Sequence, residues 1–119
     1  MSKAVKIYHN PRCSKSRETL NLLQSQGVEP EVVLYLETPA DATTLRQLLK
    51  MLGMKSAREL MRRKEDLYTS LNLADSNLSE ETLIQAMVEN PKLMERPIVV
   101  ANGQARIGRP PEQVLEIIS

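Results

Sequence analysis

The alternation of apolar and polar positions in the first third of the chain predicts a strand, a helix and a second strand. Residues 4–8 alternate in the way that a half-buried strand requires. Residues 15–26 predict a helix with Leu20 and Leu23 on one face, and Gly27 is the expected end of that helix. A continuous apolar run within residues 31–36 then predicts a buried strand of a parallel βαβ unit.

Between residues 38 and 95 the apolar period changes to that of helices. One stripe has the spacing i, i+3, i+4, i+7 and is closed by Gly53; its members are Leu45, Leu48, Leu49 and Leu52. Residues 56–59 have the form of a capping box that opens a short helix through about residue 63. Ser79 opens another helix, whose inward positions are Leu83, Ile84, Met87 and Val88. No strand is predicted in this block.

The last quarter of the chain predicts a hairpin and a closing helix. Two apolar runs, 98–101 and 105–107, flank the dipeptide Asn102-Gly103, which is the strongest short signal for a two-residue type I′ turn. The pair Pro110-Pro111 fits the first turn of a final helix. The inward positions of that helix are Val114, Leu115, Ile117 and Ile118.

The resulting order, β-α-β, helices and β-β-α, is that of a thioredoxin-like α/β fold with a mixed four-stranded sheet. We expect one domain over residues 1–119, with a helical insertion at about 38–95. In such a sheet the first βα junction lies beyond the carboxyl end of its strand, where open α/β sheets place ligand sites. Pro97 enters the third strand and is a candidate cis-proline, which in this architecture faces that junction.

Composition narrows the classes of function. A single cysteine permits no internal disulfide, and one histidine with one cysteine cannot close a structural zinc site. Basic and acidic residues number 16 and 15, so no net field attracts nucleic acid or an anionic membrane. No apolar stretch approaches a membrane span, and no secretion signal is present. We expect a cytoplasmic monomer that binds neither nucleic acid nor membrane.

The candidate chemistry lies at the first strand-to-helix junction, in the segment 9–16. It contains the only histidine, His9, and the only cysteine, Cys13. A thiol at the start of a helix lies near unpaired backbone N–H groups, which favour the thiolate, and protonated His9 would favour it as well. The alternative is a buried cysteine that acts as a small hydrophobe. The polar and basic neighbours of Cys13 favour the reactive interpretation.

Several motifs together resemble one bacterial enzyme family, the glutaredoxin-dependent arsenate reductases. The matching segments, in order, are His9-Asn-Pro-Arg-Cys13, Tyr35-Leu-Glu-Thr-Pro39, Arg62, Arg96-Pro-Ile-Val-Val100 and Gly108-Arg-Pro110. The resemblance runs from about residue 5 to residue 118. It is strongest to the short arsenate reductase-like branch, which lacks the longer C-terminal tail of the plasmid-type enzymes.

The resemblance implies a role for each matching residue. Cys13 would be the nucleophile that attacks arsenate, and His9 would tune its environment. Three arginines would hold the oxyanion: Arg62, Arg96 and Arg109. Pro97 would be the cis-proline. Because the chain has no second cysteine, glutathione would act as co-substrate and attack the adduct, and glutaredoxin would complete the reduction and release arsenite; no cofactor would be bound.

Other interpretations of the same residues stay open. The plasmid-type enzymes usually show Gly-Thr-Ser where this chain has Ser14-Lys15-Ser16, so Lys15 adds a charge at the anion loop. Arg62 lies in a run of charges that is normally a solvated surface. A regulator related to Spx shares the fold plan and binds RNA polymerase, although it usually carries Cys-x-x-Cys. A general glutathione-linked disulfide oxidoreductase is a third class of function.

Overall fold

The computed structural model describes residues 4–118 and has the thioredoxin-like α/β fold. Its elements, in order, are β1 (Val5–Tyr8), α1 (Ser14–Ser25), β2 (Glu31–Val33), α2 (Ala42–Leu52), α3 (Asp66–Ser70), α4 (Glu80–Glu89), β3 (Ile98–Ala101), β4 (Gln104–Ile107) and α5 (Leu115–Ile118). Short 3-10 segments lie at Ala57–Leu60, Pro91–Leu93 and Pro111–Val114. None of the helices within residues 4–118 combines the length and the apolar content that crossing a membrane requires.

The chain divides into two compact units. The sheet unit comprises residues up to 38 together with those from 96 onward, and the helical unit comprises residues 39–95. All four strands lie in the sheet unit, and α2, α3 and α4 lie in the helical unit. The order of strands and helices along the chain is therefore the one that the sequence predicts. The expectation of a single domain stays a prediction.

The sheet unit is built on a mixed sheet of four strands in the order β2-β1-β3-β4. The β1–β2 pair is parallel, whereas β1–β3 and β3–β4 are antiparallel. One face of the sheet packs against α1 and the C-terminal helical segment. The buried members of this core are Val5, Ile7, Leu23, Val99, Ala101, Val114 and Ile117. This packing holds the carboxyl end of β1 against the start of α1.

The second strand differs from the prediction of a buried strand over residues 31–36. It ends at Val33, and Val32 and Leu36 are 43% and 38% exposed. The reason is that β2 is an edge strand, bonded to a neighbour on one side only. A continuous apolar run does not reveal whether a strand is central or at an edge. Only Tyr35, at 1% exposed, is buried in the turn that follows.

The helical unit agrees with the predicted stripe and caps, with three differences. Asp41 caps α2 by accepting a bond from the Thr44 backbone N–H, and Gly53 ends it at φ +73. The capping box at residues 56–59 is present, but it opens a 3-10 turn that ends at Leu60 rather than a helix to residue 63. The five-residue α3 and an isolated bridge between Met61 and Met94 were not predicted. These short features depend on tertiary contacts rather than on periodicity.

The hairpin has the predicted turn, and the closing helix is shorter than predicted. Asn102 and Gly103 have φ of 56 and 74, the two positive values that a type I′ turn needs. After Pro110 the chain first forms a 3-10 turn and only then α5. Val114 and Ile117 are buried, whereas the other two predicted inward residues are half-buried.

Candidate functional site

Residues 9–13, called the nucleophile loop below, form a tight loop that ends on the N-cap of α1. Cys13 occupies that cap with an extended backbone and is partly exposed. Its N–H donates to the Asn10 carbonyl at 3.0 Å, and its carbonyl accepts the Arg17 N–H at 3.0 Å. The Asn10 side chain in turn accepts the backbone N–H of Arg12. Both backbone polar groups of Cys13 are therefore hydrogen-bonded, one to the loop and one to α1.

Ser16 links this loop to the helix, a role that the sequence analysis missed. The residue is fully buried, and its Oγ accepts the Asn10 N–H at 3.0 Å and lies 2.6 Å from Nδ1 of His9. A signal was present in the sequence, because a hydroxyl three residues after the cysteine lies one turn along the helix and can reach back to the loop. Arg17 adds a second tie, since its Nη1 donates to the Pro11 carbonyl at 2.8 Å.

The surroundings of His9 disfavour its charged form. Burial lowers its pKa from the ordinary value, and the positive charge of Arg17 lowers the pKa further. Burial and the Arg17 cation both disfavour a charged imidazole, so they act against the expectation that a protonated His9 promotes the thiolate; the role of His9 stays a prediction. Nδ1 shares a hydrogen bond with the Ser16 hydroxyl, which ties the ring to the first turn of α1.

Two of the predicted arginines lie beside Cys13. Nη2 of Arg109 lies 3.7 Å from the sulfur, and its Nε donates to the backbone carbonyl of Arg96 at 2.9 Å. Nε and Nη1 of Arg96 are buried and have no hydrogen-bond partner within the described residues. Buried donors of a cation without a partner are costly, so an acceptor brought against these two nitrogens would stabilise the side chain.

The pKa of Cys13 is lowered by the groups around it. Burial acts in the opposite direction and raises the pKa, but four contributions outweigh it. In decreasing order they are the Ser16 backbone N–H, the Arg96 charge, the Lys15 backbone N–H and the Arg109 charge. The helix start and the arginines together favour the thiolate, as the position of the cysteine predicts.

Two other basic residues of the sequence analysis are paired with carboxylates. Arg62 is in the helical unit, where its Nη1 donates to Glu65 at 2.9 Å and both side chains are less than a third exposed. The Lys15 ammonium lies 3.5 Å from Glu18 on the exposed first turns of α1. The charge of Lys15 is therefore partly satisfied by its own helix, and its backbone N–H is what acts on Cys13.

A close contact joins α1 to the segment that carries the two arginines. The Arg96–Pro97 peptide bond is cis, and so is Arg109–Pro110. Gly108 donates its N–H to the Pro97 carbonyl at 2.9 Å and is buried. A Cβ at Gly108 would collide with Oγ1 of Thr19 and would lie 2.9 Å from Cγ of Pro97. Only a glycine therefore lets these three elements approach so closely.

The arrangement is chemically an anion site with a nucleophile. The sulfur has a lowered pKa, one guanidinium is in contact with it, and a second guanidinium has two buried nitrogens without partners within the described residues. These are the features that a tetrahedral oxyanion needs for attack by an anionic thiolate. Within residues 4–118, histidine, cysteine and carboxylate side chains form no cluster of three that could hold a metal ion.

Known proteins match this chain over nearly its full length. The arsenate reductase of Haemophilus influenzae is 50% identical over 115 residues, which cover 97% of this chain and 99% of that protein. The uncharacterized protein YfgD of Escherichia coli is 86% identical over 118 residues, 99% of each chain. The solved structure of the arsenate reductase from Vibrio cholerae superposes with a TM-score of 0.96 at 60% identity and covers 98% of this chain and 99% of its own.

The family model agrees with these relatives. It matches residues 8–117, a range that includes the nucleophile loop and the two arginines beside it. With relatives at 50% identity and more over almost the whole length, the match shows that the chain belongs to the ArsC family.

Proposed function

We propose that this protein is an arsenate reductase-like thiol oxidoreductase and that Cys13 is its nucleophile. The single observation that carries the proposal is the guanidinium of Arg96, whose buried Nε and Nη1 lack partners within the described residues and whose charge helps to lower the pKa of Cys13. A neutral disulfide gains little from such a group, whereas an oxyanion supplies the acceptors that it lacks. The arsenate reductases of Haemophilus influenzae and Vibrio cholerae, which this chain resembles over nearly its full length, support the choice of arsenate.

The first step is attack of the Cys13 thiolate on arsenic. An S–As bond forms, an As–O bond breaks, and the oxygen leaves as water after protonation. Arg96 and Arg109 offset the repulsion between thiolate and oxyanion, and Arg109 is already in contact with the sulfur at 3.7 Å. We assign Arg62 to the oxyanion as well, on the family motif, and His9 to orientation of the loop through Ser16.

Reduction from arsenic(V) to arsenic(III) takes two electrons, and two thiols supply them by becoming a disulfide. We propose that the glutathione thiol attacks the arsenic of the adduct, which forms a second S–As bond as an oxygen leaves as water. A glutaredoxin thiol then attacks the glutathione sulfur, so that this S–As bond breaks and leaves its electron pair on arsenic. Water hydrolyses the remaining bond between Cys13 and arsenic(III), and the products are a glutathione–glutaredoxin disulfide, arsenite and free Cys13. The protein would act without a bound cofactor, as a monomer in the cytosol, where a lone thiol is kept reduced.

A direct assay tests this function. The purified protein, with glutathione and glutaredoxin, is expected to convert arsenate to arsenite, and Cys13→Ser is expected to reduce the rate to background. Arg106→Gln is a matched control: it removes an arginine from the same unit, but one whose side chain is paired with Glu116 rather than placed beside Cys13. Equal melting temperatures would show that the variants are folded. Arsenite formation that survives Cys13→Ser would overturn the assignment of the nucleophile.

A further inference from the structure

A cavity of about 460 Å³ opens beside the nucleophile loop, within the sheet unit. It shares four consecutive residues with that loop and is otherwise lined by the turn after β2. The lining residues are His9, Asn10, Pro11, Arg12, Leu34, Leu36 and Glu37. Its volume falls in the range of small-molecule sites, which is about 300–1,000 Å³.

One wall of the cavity is the imidazole of His9. The side chain is only 6% exposed, and its Nδ1 lies 2.6 Å from Oγ of Ser16. This contact ties the ring to α1 and holds it in place at the wall of the cavity.

The rim of the cavity carries one charge of each sign. Arg12 and Glu37 are both exposed and line it, with no salt bridge between them. The apolar side chains of Leu34 and Leu36 complete the lining, and Leu36 is 38% exposed. A simple oxyanion would be repelled by Glu37. A ligand with both an ammonium group and carboxylates would be complementary to the two charges.

We propose that this cavity binds the peptide part of the thiol co-substrate, a small zwitterionic peptide of the glutathione class. The inference rests on the proposed function, which requires such a thiol beside Cys13. Glu37 receives the ammonium group of the peptide, and Arg12 receives a carboxylate. The oxyanion and the thiol then approach Cys13 from separate subsites, so neither has to displace the other.

Binding without chemistry is the first test. S-methylglutathione, which lacks a free thiol, is titrated into the whole protein and followed by the NMR shifts of backbone amides. We expect shifts at Asn10, Arg12 and residues 34–37, and about fivefold weaker binding in Glu37→Gln and in Arg12→Gln. Glu31→Gln is the matched control, because Glu31 is an exposed carboxylate of the neighbouring strand that does not line this cavity.

Kinetics give the second test. In Glu37→Gln we expect the KM for glutathione to rise about fivefold, with kcat and the KM for arsenate unchanged. If Glu37→Gln and Glu31→Gln raise the KM for glutathione equally, the effect is one of general surface charge, and the proposed binding site is overturned. A wild type that reduces arsenate while Glu37→Gln changes neither binding nor KM would also overturn it. If the wild type binds S-methylglutathione but reduces no arsenate, the proposed function fails while the cavity is supported.

Discussion

The reactivity of Cys13 is set by groups from three separate segments of the chain. The backbone N–H groups of Lys15 and Ser16 come from the first turn of α1, whereas Arg96 and Arg109 flank the β3–β4 hairpin. Each contribution lowers the thiol pKa against the opposing effect of burial. The local helix start alone accounts for part of the effect, and the arginines need the folded sheet unit.

Removal of the Arg96 charge is expected to raise the pKa of Cys13, because one of the two cations that favour its thiolate is lost. In Arg96→Gln the pH profile of iodoacetamide alkylation should shift upward, and the rate at pH 7 should fall severalfold. A thiol with lowered pKa loses its reactivity as pH falls through that pKa, so the variant should lose it at a higher pH than the wild type. Arg106→Gln provides the control, and an unchanged profile in Arg96→Gln would contradict the assignment.

At the scale of elements, the site depends on how closely α1 approaches the ends of β3 and β4. Thr19 of α1, Pro97 before β3 and Gly108 after β4 meet at one contact. The same segments carry Cys13 at the start of α1 and the two arginines next to Pro97 and Gly108. The spacing between sulfur and guanidinium groups is therefore tied to the packing of small side chains.

Gly108→Ala is expected to separate these elements, because the added methyl group collides with Thr19 and crowds Pro97. Overpacking of this kind costs about 1–3 kcal/mol, which urea denaturation would measure. Displacement of Arg109 should also slow alkylation of Cys13 at neutral pH. Thr19→Ala in the Gly108→Ala background removes one colliding side chain and should restore part of both losses. Alkylation that stays at the wild-type rate in a destabilised Gly108→Ala would make the contact purely structural.

At the scale of the whole molecule, the cysteine count limits what the chain can do alone. There is one thiol per chain, so the second thiol of a two-electron reduction must come from another molecule. The proposed subsite beside the nucleophile loop and the proposed glutaredoxin step both follow from this requirement.

Without any added thiol, the protein is therefore expected to form no arsenite from arsenate, even when the protein is in excess. Addition of glutathione and glutaredoxin should start turnover in the same sample. The measurement is arsenite yield together with a non-reducing gel. One arsenite for every two chains, accompanied by a Cys13-linked dimer, would contradict the expectation, because a second copy would then have served as the resolving thiol.

The sequence by itself determined the element order, the caps and turns, and the position of Cys13 at the start of a helix. These features depend on neighbours in the chain: the Asn102-Gly103 turn, the capping box at residues 56–59 and the helix that follows Cys13 are all local. The motif pattern also identified the family, because the matching segments occur in a fixed order.

Only the tertiary structure decided which groups meet. The lowered pKa of His9 follows from burial and from Arg17, and the edge position of β2 follows from strand order. The hydrogen bonds of the Ser16 hydroxyl with His9 and Asn10 likewise depend on surroundings assembled by folding, and so do the unpartnered Nε and Nη1 of Arg96. Burial and charge at a residue are sums over neighbours in space, and residues 13 and 109 become neighbours only when the sheet forms.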